Sequence, residues 1–340
     1  MLKELFVYRA KLGLTSLVMG MAVLMPGGAV LAETTPSPTP GAAQFAAPDI
    51  PWLIASQQVA AIYHADTAGV PGNWHSYVTV ADSTGALKPA VDDQADTPMW
   101  AYSVNKLAVA MTVMDKVDKG EVKLDQKLTL TPDIIASGSG IYFLQTVYGD
   151  NLTVANLMTA MLLVSDNTAV RMLSQVASGT EINQTLAAKG FTATHVDPVA
   201  GSSRFFLGQT TPREMNTLLA GLANHSLVSE KSSTFVLNIM RWVNGYNDGV
   251  RRNMSSTERA QVATKYGAFE DSRHEVGIMF DAAGKPALIY AFMNDGVGDI
   301  DNYGSTNPAV EAEDVMGRQM FDIMDGKWGG RPLGSLVPRS

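Results

Sequence analysis

Strand-like patterning lies near the two ends of this chain and helical patterning fills its middle. That arrangement constrains the fold more than any other feature. Residues 76–81 (SYVTVA) alternate as a strand does and run into the turn sequence Asp82-Ser83-Thr84-Gly85. Strand-like patterning returns at 260–268, 274–280 and 287–294, the last two joined by Asp281-Ala282-Ala283-Gly284-Lys285-Pro286 as a hairpin turn. Between these regions apolar residues recur at helical spacing, from 103 to a C-cap near Gly120 and over 153–164, 167–176 and 232–243. Thr211-Pro212-Arg213-Glu214 is a capping box with proline at the first helical position, which predicts a further helix start. Helices are predicted at 50–63 and 307–324. The expected fold class is α/β (α+β): one part assembled from residues 49–98 and 258–326, with an all-helical part, 99–257, inserted between them.

The N-terminus reads as a targeting segment. In residues 1–32, Lys3, Arg9 and Lys11 give a positive start and 12–25 an apolar core. Pro26-Gly27-Gly28 then breaks the run, and Val30-Leu31-Ala32 offers a cleavage site. The apolar core is short for a bilayer span. The expectation is an exported protein, periplasmic or secreted, without stable membrane insertion after cleavage; an uncleaved anchor is the competing reading. Residues 33–48 are Pro/Thr-rich at their start and read as a flexible tether. Residues 327–340 read as a tail ending in Leu336-Val337-Pro338-Arg339-Ser340, which resembles a protease-site remnant. A formal net charge of −8 argues against nucleic acid as a partner. The absence of cysteine excludes disulfides, thiolate metal sites and cysteine nucleophiles. No cofactor or metal is expected, and the chain is expected to be a monomer acting on a small-molecule or peptide amide.

The chemistry starts at Tyr102-Ser103-Val104-Asn105-Lys106. Serine and lysine three apart on a helix share a face, so the Lys106 amine can reach the Ser103 hydroxyl and activate it as a nucleophile. Backbone N–H groups at a helix start are also available to a developing oxyanion. Alone, S-x-x-K recurs by chance, and Ser165-Asp166-Asn167 alone reads more readily as a helix cap and turn. Together with Lys265-Tyr266-Gly267 in a strand, the three elements stand in the order S-x-x-K, S-D-N, K-x-G.

This constellation resembles the penicillin-recognising serine hydrolases, class A β-lactamases in particular, over roughly residues 50–325. Ser137-Gly138-Ser139-Gly140-Ile141 and Thr210-Thr211-Pro212-Arg213-Glu214-Met215 extend the likeness. The resemblance implies a β-lactamase/transpeptidase-like fold, an antiparallel sheet flanked by helices. It implies that Ser103 forms an acyl-enzyme, that Lys106 takes or relays its proton, and that Ser165 with Lys265 returns a proton to the leaving nitrogen. The N–H groups of Ser103 and Ala268 would form the oxyanion hole. Asn167 would bind the acyl side-chain amide, with Tyr266, Gly267 and His274 also meeting substrate.

Departures from that family pattern matter as much. A loop glutamate positions the deacylating water in class A enzymes, yet no glutamate occurs between Glu181 and Glu214. Ala200 falls at the aligned position, and Asp197 reads as a residue that pins the loop. Tyr266 replaces a small hydroxyl residue, and Arg273-His274 stands where many class A enzymes carry an arginine. The five histidines offer no triad, since no G-x-S-x-G elbow accompanies them. Asp299-Ile300-Asp301-Asn302-Tyr303-Gly304 mimics a calcium loop without its closing glutamate and reads as a surface loop. The expected function is an exported active-site-serine hydrolase acting on an amide bond through an acyl-enzyme, with β-lactam hydrolysis inefficient. The alternatives are a D-amino-acid peptidase, esterase or acyl-transferase, or a β-lactam-acylated binding or sensor protein.

Overall fold

The two distant strand regions do pair. The computed structural model describes residues 49–144 and 148–326; the expected signal segment (1–32), tether (33–48) and tail (327–340) lie outside them. The first sequence segment supplies α1 (Ile50–Thr67), β1 (Asn73–Ala81) and β2 (Leu87–Asp93). The middle supplies β3 (Met99–Trp100), α2 (Lys106–Asp118), β4 (Lys127–Thr129), β5 (Asn151–Thr153), α3 (Val154–Leu163), α4 (Asn167–Leu173) and α5 (Gly179–Ala188). It continues through β6 (His195–Pro198), β7 (Phe205–Thr210), α6 (Pro212–Ala223), α7 (Glu230–Met240) and α8 (Ser256–Arg259). The last segment supplies β8 (Val262–Phe269), β9 (Ser272–Phe280), β10 (Pro286–Asp295) and α9 (Pro308–Met324).

Among the described residues the main sheet is antiparallel with strand order β2-β1-β10-β9-β8. The central pairing joins sequence ends: Trp74 lies opposite Asn294 and Val80 opposite Leu288. Alternation explains how one sheet holds two cores. In β10, Leu288, Tyr290 and Phe292 face a core shared with Val59 and Ile62 of α1 and Met316 and Met320 of α9. Ile289, Ala291 and Met293 face the other core, with Leu107 and Met111 of α2 and Leu218 of α6. Methionines such as Met111, Met114, Met158 and Met161 are core residues, as expected.

The inserted part is helical in bulk but carries two small antiparallel pieces, β3-β7-β6 and β4-β5. These strands are two to six residues long and carry too little alternation to be read from sequence. α6 also lies against the main sheet, with Asn216 donating to the carbonyls of Tyr77 and Ile289. Its capping box is half made. Thr211 caps Glu214 N–H, while the Glu214 carboxylate accepts from the N–H groups of Thr192, Ala193 and Thr194 instead of closing on Thr211.

Candidate active site

Ser103 does not begin an α-helix directly. Tyr102–Asn105 forms a 3₁₀ turn and α2 starts at Lys106. Tyr102, immediately before the serine, has φ 46°, a left-handed backbone that a bulky residue adopts only under tertiary constraint. Asn105, wholly buried, supplies part of that constraint: its Nδ2 donates to the carbonyls of His195 (2.9 Å) and Leu207 (2.5 Å), tying the turn to β6 and β7. Sequence reading passed over Asn105, and an asparagine inside an apolar helical run was the available signal.

α2 is buried all round from Lys106 to Asp115, and this places the lysine amine in a dry interior. Lys106 has no exposed surface and Lys265 has 1%. Lys106 Nζ lies 2.7 Å from Ser165 O, 3.1 Å from Ser165 Oγ and 2.7 Å from Asn167 Oδ1. Lys265 Nζ lies 3.0 Å from the same Ser165 Oγ and 2.6 Å from Tyr266 O. One hydroxyl therefore bridges two buried amines. Burial lowers the Lys106 pKa to about 7, against an opposing pull from Asp166. Burial, then the like charge of Lys106, push Lys265 well below its ordinary value, while Glu275 pulls it up. Ser103 Oγ is not among the partners of Lys106; it lines the cleft and makes no hydrogen bond among the described residues.

Ser165 is itself strained, with φ 54°. Asp166 holds it there by capping α4 through Ala169 N–H and by accepting from Ile141 and Tyr142 N–H at 2.6 and 2.8 Å. The Ser137–Ile141 run is thereby docked on the motif. Asn167 Nδ2 donates to Ser137 O, and Ser139 Oγ meets Tyr266 OH at 3.3 Å. The Tyr266 ring stacks on Tyr246 at 4.1 Å, which fills the space a small residue would leave open. Gly267 is required by contact: a Cβ there would stand 3.0 Å from Ser103 N and 2.8 Å from Val104 N. That contact brings Ala268, which lines the same cleft as Ser103, beside the 3₁₀ turn.

One expected contact needs correction. His274 does not face substrate: it is buried, its Nε2 lies 3.0 Å from Trp100 O, and its Nδ1 accepts from Asn294 N–H. Burial lowers its pKa to about 4, so it is neutral near neutrality. Neither does Arg273, whose guanidinium is used by the carbonyls of Glu270, Ser272, Ile300 and Asn302. It thereby occupies the loop whose acidic residues mimic a calcium site. Ala200, at the aligned glutamate position, is not among the residues that line the Ser103 cavity. It lies in the exposed turn between β6 and β7, and the wall is made by Phe205, Phe206 and Leu207 further along. Asp197 is half exposed, with His195 Nε2 at 3.5 Å.

The β-lactamase enzyme family profile matches residues 55–322. Among curated proteins, β-lactamase VEB-1 of Pseudomonas aeruginosa is 28% identical over 148 residues, covering 41% of this chain and 50% of that one; the chain thus matches about half the length of this relative. Among solved structures, a β-lactamase of Sphaerobacter thermophilus superposes with a TM-score of 0.65 at 20% identity, over 83% of this chain and 98% of that one. PBP-A superposes with a TM-score of 0.63 at 22% identity, over 79% and 95%; a mutant of it has been solved as an acyl-enzyme complex with penicillin G.

Proposed function

Since the chain belongs to the β-lactamase enzyme family, we propose that it is an exported active-site-serine hydrolase whose acyl-enzyme is long-lived. The observation that carries this reading is the Ser165 hydroxyl held at 3.1 and 3.0 Å from two buried lysine amines. With a pKa near 7, Lys106 is substantially neutral at physiological pH. A neutral amine has two N–H groups, enough for Ser165 O and Asn167 Oδ1, and a lone pair left over for a proton. Ser103 Oγ attacks the carbonyl carbon and its proton passes to Lys106. The proton then moves through Ser165, polarised by Lys265, to the leaving nitrogen as the carbon–nitrogen bond breaks. The N–H groups of Ser103 and Ala268 stabilise the oxyanion; β8 is an edge strand, so half of its N–H groups face away from β9. Asn167 meets the acyl amide, and Tyr266 and Gly267 the rest of the substrate.

Hydrolysis of the adduct is the slow step. Among the described residues no carboxylate lines the cleft, so none is placed to activate a water there. The protein is proposed to act as a monomer; no helix among the described residues is long and apolar enough to cross a membrane.

The test is intact-mass spectrometry with penicillin G and a stopped-flow burst with nitrocefin. The expected result is one equivalent of adduct that persists, and none in Ser103→Ala. An adduct of equal mass in Ser103→Ala would overturn the serine assignment, and sustained turnover after the burst would overturn the long-lived adduct.

A further inference from the structure

The wall of the cleft is aromatic, and its aromatic rings are left in water. Trp100 is 56% exposed, Phe206 71% and Phe269 52%, and all three border the cavity that contains Ser103. They come from three strands, β3, β7 and β8, and Tyr102, Phe205 and Leu207 continue the surface between them. Single exposed apolar residues are ordinary, but several converging on one concavity mark a binding surface. At about 560 Å³ the cavity has the size of a small-molecule site.

We propose that this wall receives a bulky apolar acyl group, so that the enzyme selects substrates by the length and apolarity of the acid whose carbonyl Ser103 attacks. The inference rests on the acyl-enzyme reading above and names its substrate class. The polar side chains of the lining are Ser103, Ser137, Asn167 and Arg171 with the Tyr102 phenol, and one Arg171 N–H is used by Ile135 O at 2.6 Å. The larger share of the lining is apolar and suited to cover a hydrocarbon. The wall is also preorganised. The Tyr102 ring is wedged between Phe269 at 5.6 Å and His274 at 5.8 Å, and Asn105 ties the backbone of Leu207 to the nucleophile's own turn. Fixed rings lose little entropy on binding. An apolar acyl group in this position displaces water from the face of the ester, which matches a cleft without a carboxylate.

p-Nitrophenyl acetate, butyrate and hexanoate test the idea on the intact protein, by p-nitrophenolate burst and intact mass. In each, a bond forms between Ser103 Oγ and the acyl carbon, the bond to the aryl oxygen breaks, and p-nitrophenolate leaves while the serine proton goes to Lys106. Burying a methylene is worth a factor of roughly three to four, so the acylation rate is expected to rise about 100-fold from acetate to hexanoate. In Phe206→Ala and Trp100→Ala, both exposed positions, the hexanoate-to-acetate ratio should fall at least fivefold. Adducts formed at rates that do not depend on chain length, or a ratio unmoved in both variants, would overturn this inference alone. No adduct with any ester would overturn the acyl-enzyme reading and this inference with it.

Discussion

Lys106 carries the chemistry because of where it is buried. A lysine that titrates at about 7 instead of 10.5 binds fewer protons folded than unfolded between those values, so its contribution to stability rises with pH across that window. The same neutral amine is the proposed base. Acylation should therefore climb with pH through about 7 and level off above it. Lys106→Met should lose roughly 10³-fold in acylation rate, and it should be more stable than the parent below pH 7, where the buried cation is most costly. Stopped-flow rates and urea midpoints across pH check both halves. A second residue-scale prediction separates alignment from geometry. Ala200→Glu places a carboxylate in an exposed turn that does not line the Ser103 cavity, so the adduct half-life should stay within about twofold of the parent. A much faster decay would return Ala200 to the site.

The decisive meeting of elements is that of β8 with the 3₁₀ turn. The two approach so closely that only glycine fits at position 267, and the two nearest atoms a Cβ would strike are backbone nitrogens, which cannot rotate away. Gly267→Val must push the edge strand outward and carry the Ala268 N–H with it. Misplacement by about an ångström typically costs 100-fold in rate. Acylation should fall by roughly that factor while the sheet's thermal unfolding, set by the two cores, shifts by only a few degrees. Unchanged acylation would mean that β8 does not supply the oxyanion donor. At this scale the sequence was legible where patterns are long. β8, β9, β10 and α9 lie where period two and period 3.6 placed them, whereas β3 to β7 are too short to announce themselves.

Across the whole molecule, charge is buried on both faces of the sheet. On the face away from Ser103, Glu313 of α9 sits near Glu275 of β9 and Arg273, and its Oε1 has no hydrogen-bond partner among the described residues. Burial, then the like charge of Glu275, raise the Glu313 pKa well above its ordinary value against the pull of Arg273. Between those values the folded chain binds more protons than the unfolded one, so this group's contribution falls as pH rises. Glu313→Gln removes the titration. It should stabilise the protein at pH 8 and change little near pH 4, as read from urea unfolding at each pH; an equal change at both would sink the account.

What the chain's own order of residues determined is the chemistry's vocabulary: a serine and lysine one turn apart, a second serine in a tight turn, a lysine and glycine in a strand, and patterning that forced the two ends into one sheet. Local pattern is enough for these, because each depends on neighbours within a few positions. Tertiary structure alone decided which of them touch and with what protonation. It put Ser165 rather than Ser103 against both amines, left His274 and Ala200 out of the cleft's lining, and lined that cleft with rings. The reason is physical: desolvation and contact depend on residues brought together from about 60 to 100 positions apart, and spacing along the chain carries no record of them.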